Sequence, residues 1–224
     1  MIEIFSILFL SNLFILINFK KFSKLINIFD KPDKHLKKHK SNVPLLGGAI
    51  IIINLIIFFI LSVIFESPFE NFIFSKKEYT SIFLLIVGFF LLGIYDDKYK
   101  LNPDKKFIIS IIFSILALAL NKNLIIENFN LSFYNKTIIL NEFSFFFTLF
   151  CIVILINALN FYDGINGQSL IFFILVFSYL SLKSPLQMFY IILIFICIFI
   201  LFLNLHNITF LCDGWFFFLV SIFT

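Results

Sequence analysis

Two adjacent aspartates, Asp96 and Asp97, end an apolar run that begins near Thr80. A carboxylate at membrane depth costs on the order of 2.5–3.5 kcal/mol, so a pair at the end of such a run needs water or a cation. Lys105 and Lys106 follow Asp97 by eight and nine residues, far enough for a loop to turn back and offer an ammonium to a phosphate. Asn157, Asn160 and Asp163 then recur every third residue, Gly164 follows, and Asp213 closes a later apolar stretch. Carboxylate and amide oxygens of this kind suit a hard divalent cation such as Mg²⁺, which takes oxygen ligands and keeps positions open for phosphate. Taken singly, each aspartate reads equally well as a helix cap or a group in interfacial water. Their clustering at the ends of apolar runs is what argues for a site.

A second group lies nearer the N-terminus, in Asp30-Lys31-Pro32-Asp33-Lys34-His35-Leu36-Lys37-Lys38-His39 followed by Val43-Pro44-Leu45-Leu46-Gly47-Gly48. A basic loop leading into Gly-Gly at the start of an apolar run has two chemical readings. It can bind anionic lipid headgroups, or it can set backbone N–H groups against a phosphate at a helix N-terminus.

The elements that must position these groups are membrane helices. The chain of 224 residues is 61% hydrophobic, contains 37 Phe and has only 13% charged residues, against roughly 25% in soluble domains. Apolar windows fall near Ile4–Phe19, Gly47–Phe65, Thr80–Tyr95, Phe107–Leu120, Ser144–Leu159, Ser169–Leu182 and Leu186–Leu205, with an eighth starting at about Trp215. This pattern predicts an all-α polytopic membrane protein, a single transmembrane domain over 1–224 with about seven complete spans and a partial eighth. A partly alternating stretch at Asn130–Tyr134, a turn candidate at Asn135-Lys136 and the segment Thr137–Leu140 predict a small β-hairpin on the outer face.

If all seven windows cross, the loops 20–46, 96–106, 160–168 and 206–214 share one face. All 17 basic residues are Lys, and 12 of them lie in the first two of these loops, against five on the opposite face. The bias toward positive charge inside puts that face, with Asp96, Asp97, Asp163 and Asp213, in the cytoplasm. Lys beside apolar runs favours a juxtamembrane role over nucleic-acid binding, despite a net charge of +4. Cys151, Cys197 and Cys212 lack metal-type spacing and read as inert core residues. The first segment carries Glu3 and no basic start, so a cleaved signal peptide is not expected.

Taken together, these residues resemble the polyprenyl-phosphate N-acetylhexosamine-1-phosphate transferase family, which includes the phospho-N-acetylmuramoyl-pentapeptide transferases. The resemblance runs from about Asp30 to Asp213. The first loop is similar to the family's Asp-x-Pro…Lys-x-His…Pro-x-x-Gly-Gly through Asp30, Pro32, Lys37, His39, Pro44, Gly47 and Gly48. Gly93…Asp96-Asp97 with Lys106 looks like its aspartate-pair motif. Asn157-Ala158-Leu159-Asn160-Phe161-Tyr162-Asp163-Gly164-Ile165-Asn166-Gly167 looks like its Asn-Ala-x-Asn-x-x-Asp-Gly-x-Asp-Gly, and Phe210-Leu211-Cys212-Asp213 falls where the family has Phe-Met-Gly-Asp.

The resemblance implies Mg²⁺-dependent transfer of an N-acetylhexosamine-1-phosphate from a UDP-sugar to polyprenyl phosphate, undecaprenyl phosphate in a bacterium. UMP would leave, and the product would initiate lipid-linked cell-envelope glycans such as peptidoglycan or lipopolysaccharide. It implies catalytic roles for Asp96, Asp97, Asp163 and Lys106, Mg²⁺ ligation by Asp213 and Asn160, and substrate binding by Lys37, His39, Asn157, Asn166 and Gly164. The expected partners are a UDP-N-acetylated sugar, a polyprenyl phosphate and the inner (plasma) membrane, with no nucleic acid and with a homodimer left open.

Three departures accompany the resemblance. Asn166 stands where most bacterial members have Asp, Cys212 replaces the Gly before the last motif's Asp, and Trp215 falls on a later Gly. The family has a further His-rich cytoplasmic loop, whereas no His follows His206, so a C-terminally truncated member is the expectation. A decayed member serving as a membrane scaffold, or a transporter with intramembrane carboxylates, are the alternative readings.

Overall fold

A computed structural model of the chain describes residues 2–30, 42–64, 76–131, 133, 136–162, 166–184 and 187–211, with backbone alone at 2, 62, 63, 76–86, 160 and 161. The order is α1 (Ile2–Ile17), α2 (Phe19–Ile26), β1 (Phe29–Asp30), β2 (Val43–Pro44), α3 (Gly47–Ile64), α4 (Lys76–Tyr99), α5 (Pro103–Leu120), β3 (Asn128–Phe129), β4 (Ile138–Ile139), α6 (Ser144–Tyr162), α7 (Gln168–Lys183) and α8 (Gln187–Leu205). The described chain is mostly helical, and seven of its helices coincide with the seven apolar windows. Among the described residues two segments, Asn141–Leu159 and Gln187–Leu205, are long and apolar enough to cross a membrane, and a third qualifies if α1 and α2, bent by 74°, count as one broken span. The helix α2 corrects the sequence reading, which took 20–46 as loop. Its eight residues are too short and too basic to register as an apolar window.

The chain divides into two compact units, Met1–Ile73 with Tyr162–Cys212, and Phe74–Phe161 with Asp213–Thr224. In the first, α8 packs against α7 and α3, and α3 packs against α1. Ile192, Ile196, Cys197, Ile200 and Leu203 of α8 are buried. A polar contact crosses the apolar interior: Asn54 Nδ2 donates to Asn12 Oδ1 at 2.8 Å, both side chains being buried. Phe58 meets Phe189 at 5.6 Å between ring centroids.

In the second unit α4 and α5 form an antiparallel pair. Gly88 lets the helices approach closely, because a Cβ there would lie 2.8 Å from the Phe113 ring. Such small-residue contacts stand in for the hydrophobic driving force that lipid cannot supply. Ser110 and Ser114, both buried, return their hydroxyls to the carbonyls of Lys106 and Ser110.

The β3–β4 ribbon also differs in detail from expectation. The paired residues are Asn128 with Ile139 and Phe129 with Ile138, so the pairing flanks the alternating stretch, and the turn candidate at Asn135-Lys136 falls partly outside the described residues. The anchors lie outside the alternating stretch: the Phe129 ring stacks on Phe147 at 5.4 Å, and Ile126 N–H donates to Thr148 Oγ1 at 2.9 Å. Ring stacking and one hydroxyl decided a register that alternation alone left loose.

Candidate functional site

The last turn of α4 carries the aspartate pair. Lys100 follows it with φ 50°, and its N–H returns to the Asp96 carbonyl at 2.7 Å, a left-handed close that ends the helix. Three residues later Pro103 opens α5 behind the N-cap Asn102, where its missing N–H is no loss. Asp96 spans this short connection with both carboxylate oxygens. Oδ1 accepts the Leu101 N–H at 2.8 Å and Oδ2 accepts the Lys106 ammonium at 2.7 Å. The two side chains are 12% and 16% exposed, so the pair is sheltered enough to hold its geometry. Lys105 is exposed; spacing alone offered both lysines, and the motif resemblance singled out Lys106. Asp97 is half-buried, with Oδ2 shut off from solvent. Tyr95 and Tyr99 are exposed beside them, their rings 4.6 Å apart, as aromatic residues at a lipid–water boundary are.

Asn157 lies half-buried on α6, in the same unit, and its Nδ2 donates to the Val153 carbonyl at 2.8 Å. With its nitrogen tied to the helix, the amide oxygen is the group it presents. Asn160 follows on the same helix, its backbone alone described. Lys37, His39, Asp163, Gly164 and Asp213 fall outside the described residues.

Asn166 belongs to the other unit. It is exposed ahead of α7, and its Nδ2 donates to Asn207 Oδ1 at 2.8 Å. Gly167 beside it has φ 80°, and a Cβ there would come within 2.9 Å of Leu201, so both conformation and space require glycine.

A strap that no motif marks joins the end of the first motif to the chain leading toward Asp213. Thr209, fully buried, accepts the Leu46 N–H at 2.9 Å and donates to the Pro44 carbonyl at 2.8 Å. Phe210 N–H also reaches Pro44 O, at 3.1 Å, and Gly47 N–H reaches Phe210 O at 3.0 Å. A Cβ on Gly47 would sit 2.9 Å from that same oxygen. Gly47 therefore serves as a place where another strand of backbone crosses. The polar run Asn207-Ile208-Thr209 after an apolar helix, with Asn207 at φ 53°, was the available signal.

Carboxylate and amide oxygens are hard donors, so Asp97, Asn157, Asn160 and Asp213 fit Mg²⁺ in kind. Among the described residues no group of three or more His, Cys, Asp and Glu side chains is assembled around a metal position. What the described part holds is an anchored ammonium–carboxylate pair with a second carboxylate beside it. The Lys106 ammonium can orient a phosphate group, but with two carboxylates beside it the trio is net negative, so neutralising that phosphate calls for a cation as well.

Comparison with known proteins points the same way. A family model for glycosyl transferase family 4 matches residues 79–211, a stretch that contains Asp96, Asp97, Lys106 and the Asn157–Gly167 motif. The phospho-N-acetylmuramoyl-pentapeptide-transferase of Staphylococcus carnosus (strain TM300) is 28% identical over 165 residues, covering 68% of this chain and 49% of that protein. The probable undecaprenyl-phosphate N-acetylglucosaminyl 1-phosphate transferase of Bacillus subtilis (strain 168) is 26% identical over 148 residues, 66% of this chain and 38% of that protein. The undecaprenyl-phosphate alpha-N-acetylglucosaminyl 1-phosphate transferase of Escherichia coli (strain K12) is 26% identical over 170 residues, 74% and 41% respectively. The chain thus spans less than half the length of these relatives.

Proposed function

The chain belongs to glycosyl transferase family 4, and from that premise we propose that it transfers an N-acetylhexosamine-1-phosphate from a UDP-activated sugar to polyprenyl phosphate, releasing UMP. The observation that carries the reading is the Asp96–Lys106 pair with Asp97 beside it, inside the matched segment and at the end of an apolar helix. Phosphoryl transfer asks mainly for positioning and charge neutralisation. A lipid phosphate, with a second pKa of about 6 by analogy with phosphorylated side chains, is largely ionised at neutral pH and attacks without a strong base.

In this proposal Lys106 holds the donor's pyrophosphate, with Asp96 fixing its ammonium, and Asp97 lies near the attacking lipid phosphate. Asn160 and Asp213 would hold Mg²⁺, which supplies charge neutralisation on the pyrophosphate when bound. Lys37, His39, Asn157, Asp163, Gly164 and Asn166 complete the contacts to the nucleotide sugar and lipid. The seven-span topology with a partial eighth, multi-pass insertion in the inner membrane and a cytoplasmic site belong to the same proposal, supported by the lysine asymmetry.

The test is UMP release and lipid-linked product from UDP-N-acetylhexosamines, polyprenyl phosphate and Mg²⁺ in membranes containing the protein. Asp97→Asn and Asp213→Asn are each expected to abolish both. Near-normal turnover in either variant would remove that residue's role, and absence of product from the unmodified protein would remove the function.

A further inference from the structure

The elbow between α1 and α2 has a built geometry. Asn18 sits at φ −97°, ψ 14°, and both its backbone N–H and its side-chain Nδ2 donate to the Phe14 carbonyl, at 3.1 and 3.0 Å. Its own carbonyl accepts the N–H groups of Lys21 and Phe22, which start α2. Phe14 and Phe22 meet edge to face at 6.3 Å across the bend, and Asn27, at φ 52°, closes the helix on the Ser23 carbonyl at 3.0 Å. The 74° turn is thus held by hydrogen bonds at its corner and by a ring contact across it.

The two arms differ in chemistry. Along α1 the exposed large apolar side chains are Phe9, Leu10, Leu13, Phe14 and Ile17, a surface suited to hydrocarbon. On α2, at about 100° per residue, Lys20, Lys24 and Lys21 fall within an arc of about 100° while Leu25, Phe22, Ile26 and Phe19 fill the opposite side. Ser23 is buried and faces the protein, whereas all three lysines are exposed and Leu25 is 83% exposed at the border of the two faces. Among the described residues none of the three lysines has an acidic partner. With α1 upright in the bilayer, a 74° turn lays α2 nearly parallel to the surface.

We propose that α2 is an interfacial helix whose Lys20, Lys21 and Lys24 dock on the headgroups of anionic phospholipids while its apolar side rests in the boundary layer. Charge complementarity selects the occupant: three cations on one short face, without acidic partners, beside an apolar border fit a negatively charged lipid surface. The alternative geometry, in which α2 continues α1 as a broken span, would bring three lysines into hydrocarbon.

The experiment uses the full chain in bilayers of equimolar phosphatidylcholine and phosphatidylglycerol, with Leu25→Trp as reporter on a Trp215→Phe background. Either lipid carries bromine, near the headgroup end or near the acyl terminus. The expected result is stronger quenching by the shallow bromines, and about twofold stronger quenching by brominated phosphatidylglycerol than by brominated phosphatidylcholine. That preference should fall to parity in Lys20→Gln/Lys21→Gln/Lys24→Gln and, for protein with its lysines intact, at high salt. Strongest quenching by the deep bromines, equal quenching by the two lipids, or a preference indifferent to salt would overturn the proposal. The readout is lipid proximity, so it stands apart from the transferase reading.

Discussion

A carboxylate in the last turn of a helix faces the negative end of the helix dipole, so Asp96 sits where an aspartate is disfavoured unless something holds it. Leu101 N–H and the Lys106 ammonium do so. The pair admits two roles, one holding the α4–α5 turn and one presenting Lys106 to a phosphate, and a double substitution separates them. Lys106→Gln should lower kcat about 100-fold or more, as losing a preorganised charge on a reacting oxyanion does. If the pair only held the turn, Asp96→Asn with Lys106→Gln would recover activity, since neither charge is then left alone; the proposed role requires the double variant to stay inactive. The spacing of Asp96 and Lys106 was legible in the sequence. The motif resemblance also singled out Lys106, but that its ammonium closes on Asp96 was not legible, because neighbouring helix residues point about 100° apart and only the start of α5 sets which one turns inward.

At the scale of elements, the strap formed by β2, the residues after it and the Thr209-Phe210 segment is the least anticipated feature. Thr209 Oγ1 serves two backbone groups that lie more than 160 residues away in sequence. Thr209→Val keeps the shape and removes the hydroxyl, leaving the Leu46 N–H without its partner. The loss should be about 1–3 kcal/mol, read as a lower midpoint of thermal unfolding in detergent, with Thr209→Ser restoring most of it. An unchanged midpoint would mean that the strap is held by the Gly47 and Phe210 backbone bonds alone. Gly47 illustrates how far motif reading goes: the residue type was visible, and its reason was not, because the oxygen it makes room for belongs to Phe210.

At the scale of the whole molecule, the span count carries a prediction of its own. Asp97→Cys, Asp163→Cys and Asp213→Cys, each in a background with Cys151, Cys197 and Cys212 replaced by Ser, should all react with an impermeant maleimide from the cytoplasmic side of oriented vesicles. Labelling of any one only from outside would break the shared-face argument. What the sequence determined by itself was the helical class and the positions of seven helices, because apolar length is read residue by residue and requires no partner. It also carried the family, since motif spacing is a property of the chain. Only the tertiary structure decided that Asn166 meets Asn207, that Thr209 and Gly47 stitch the first motif to the chain before Asp213, and that the basic segment after α1 turns through 74° into a helix of its own. Each of these depends on a contact or a bend whose partners lie on different elements, and a one-dimensional pattern does not encode which elements meet.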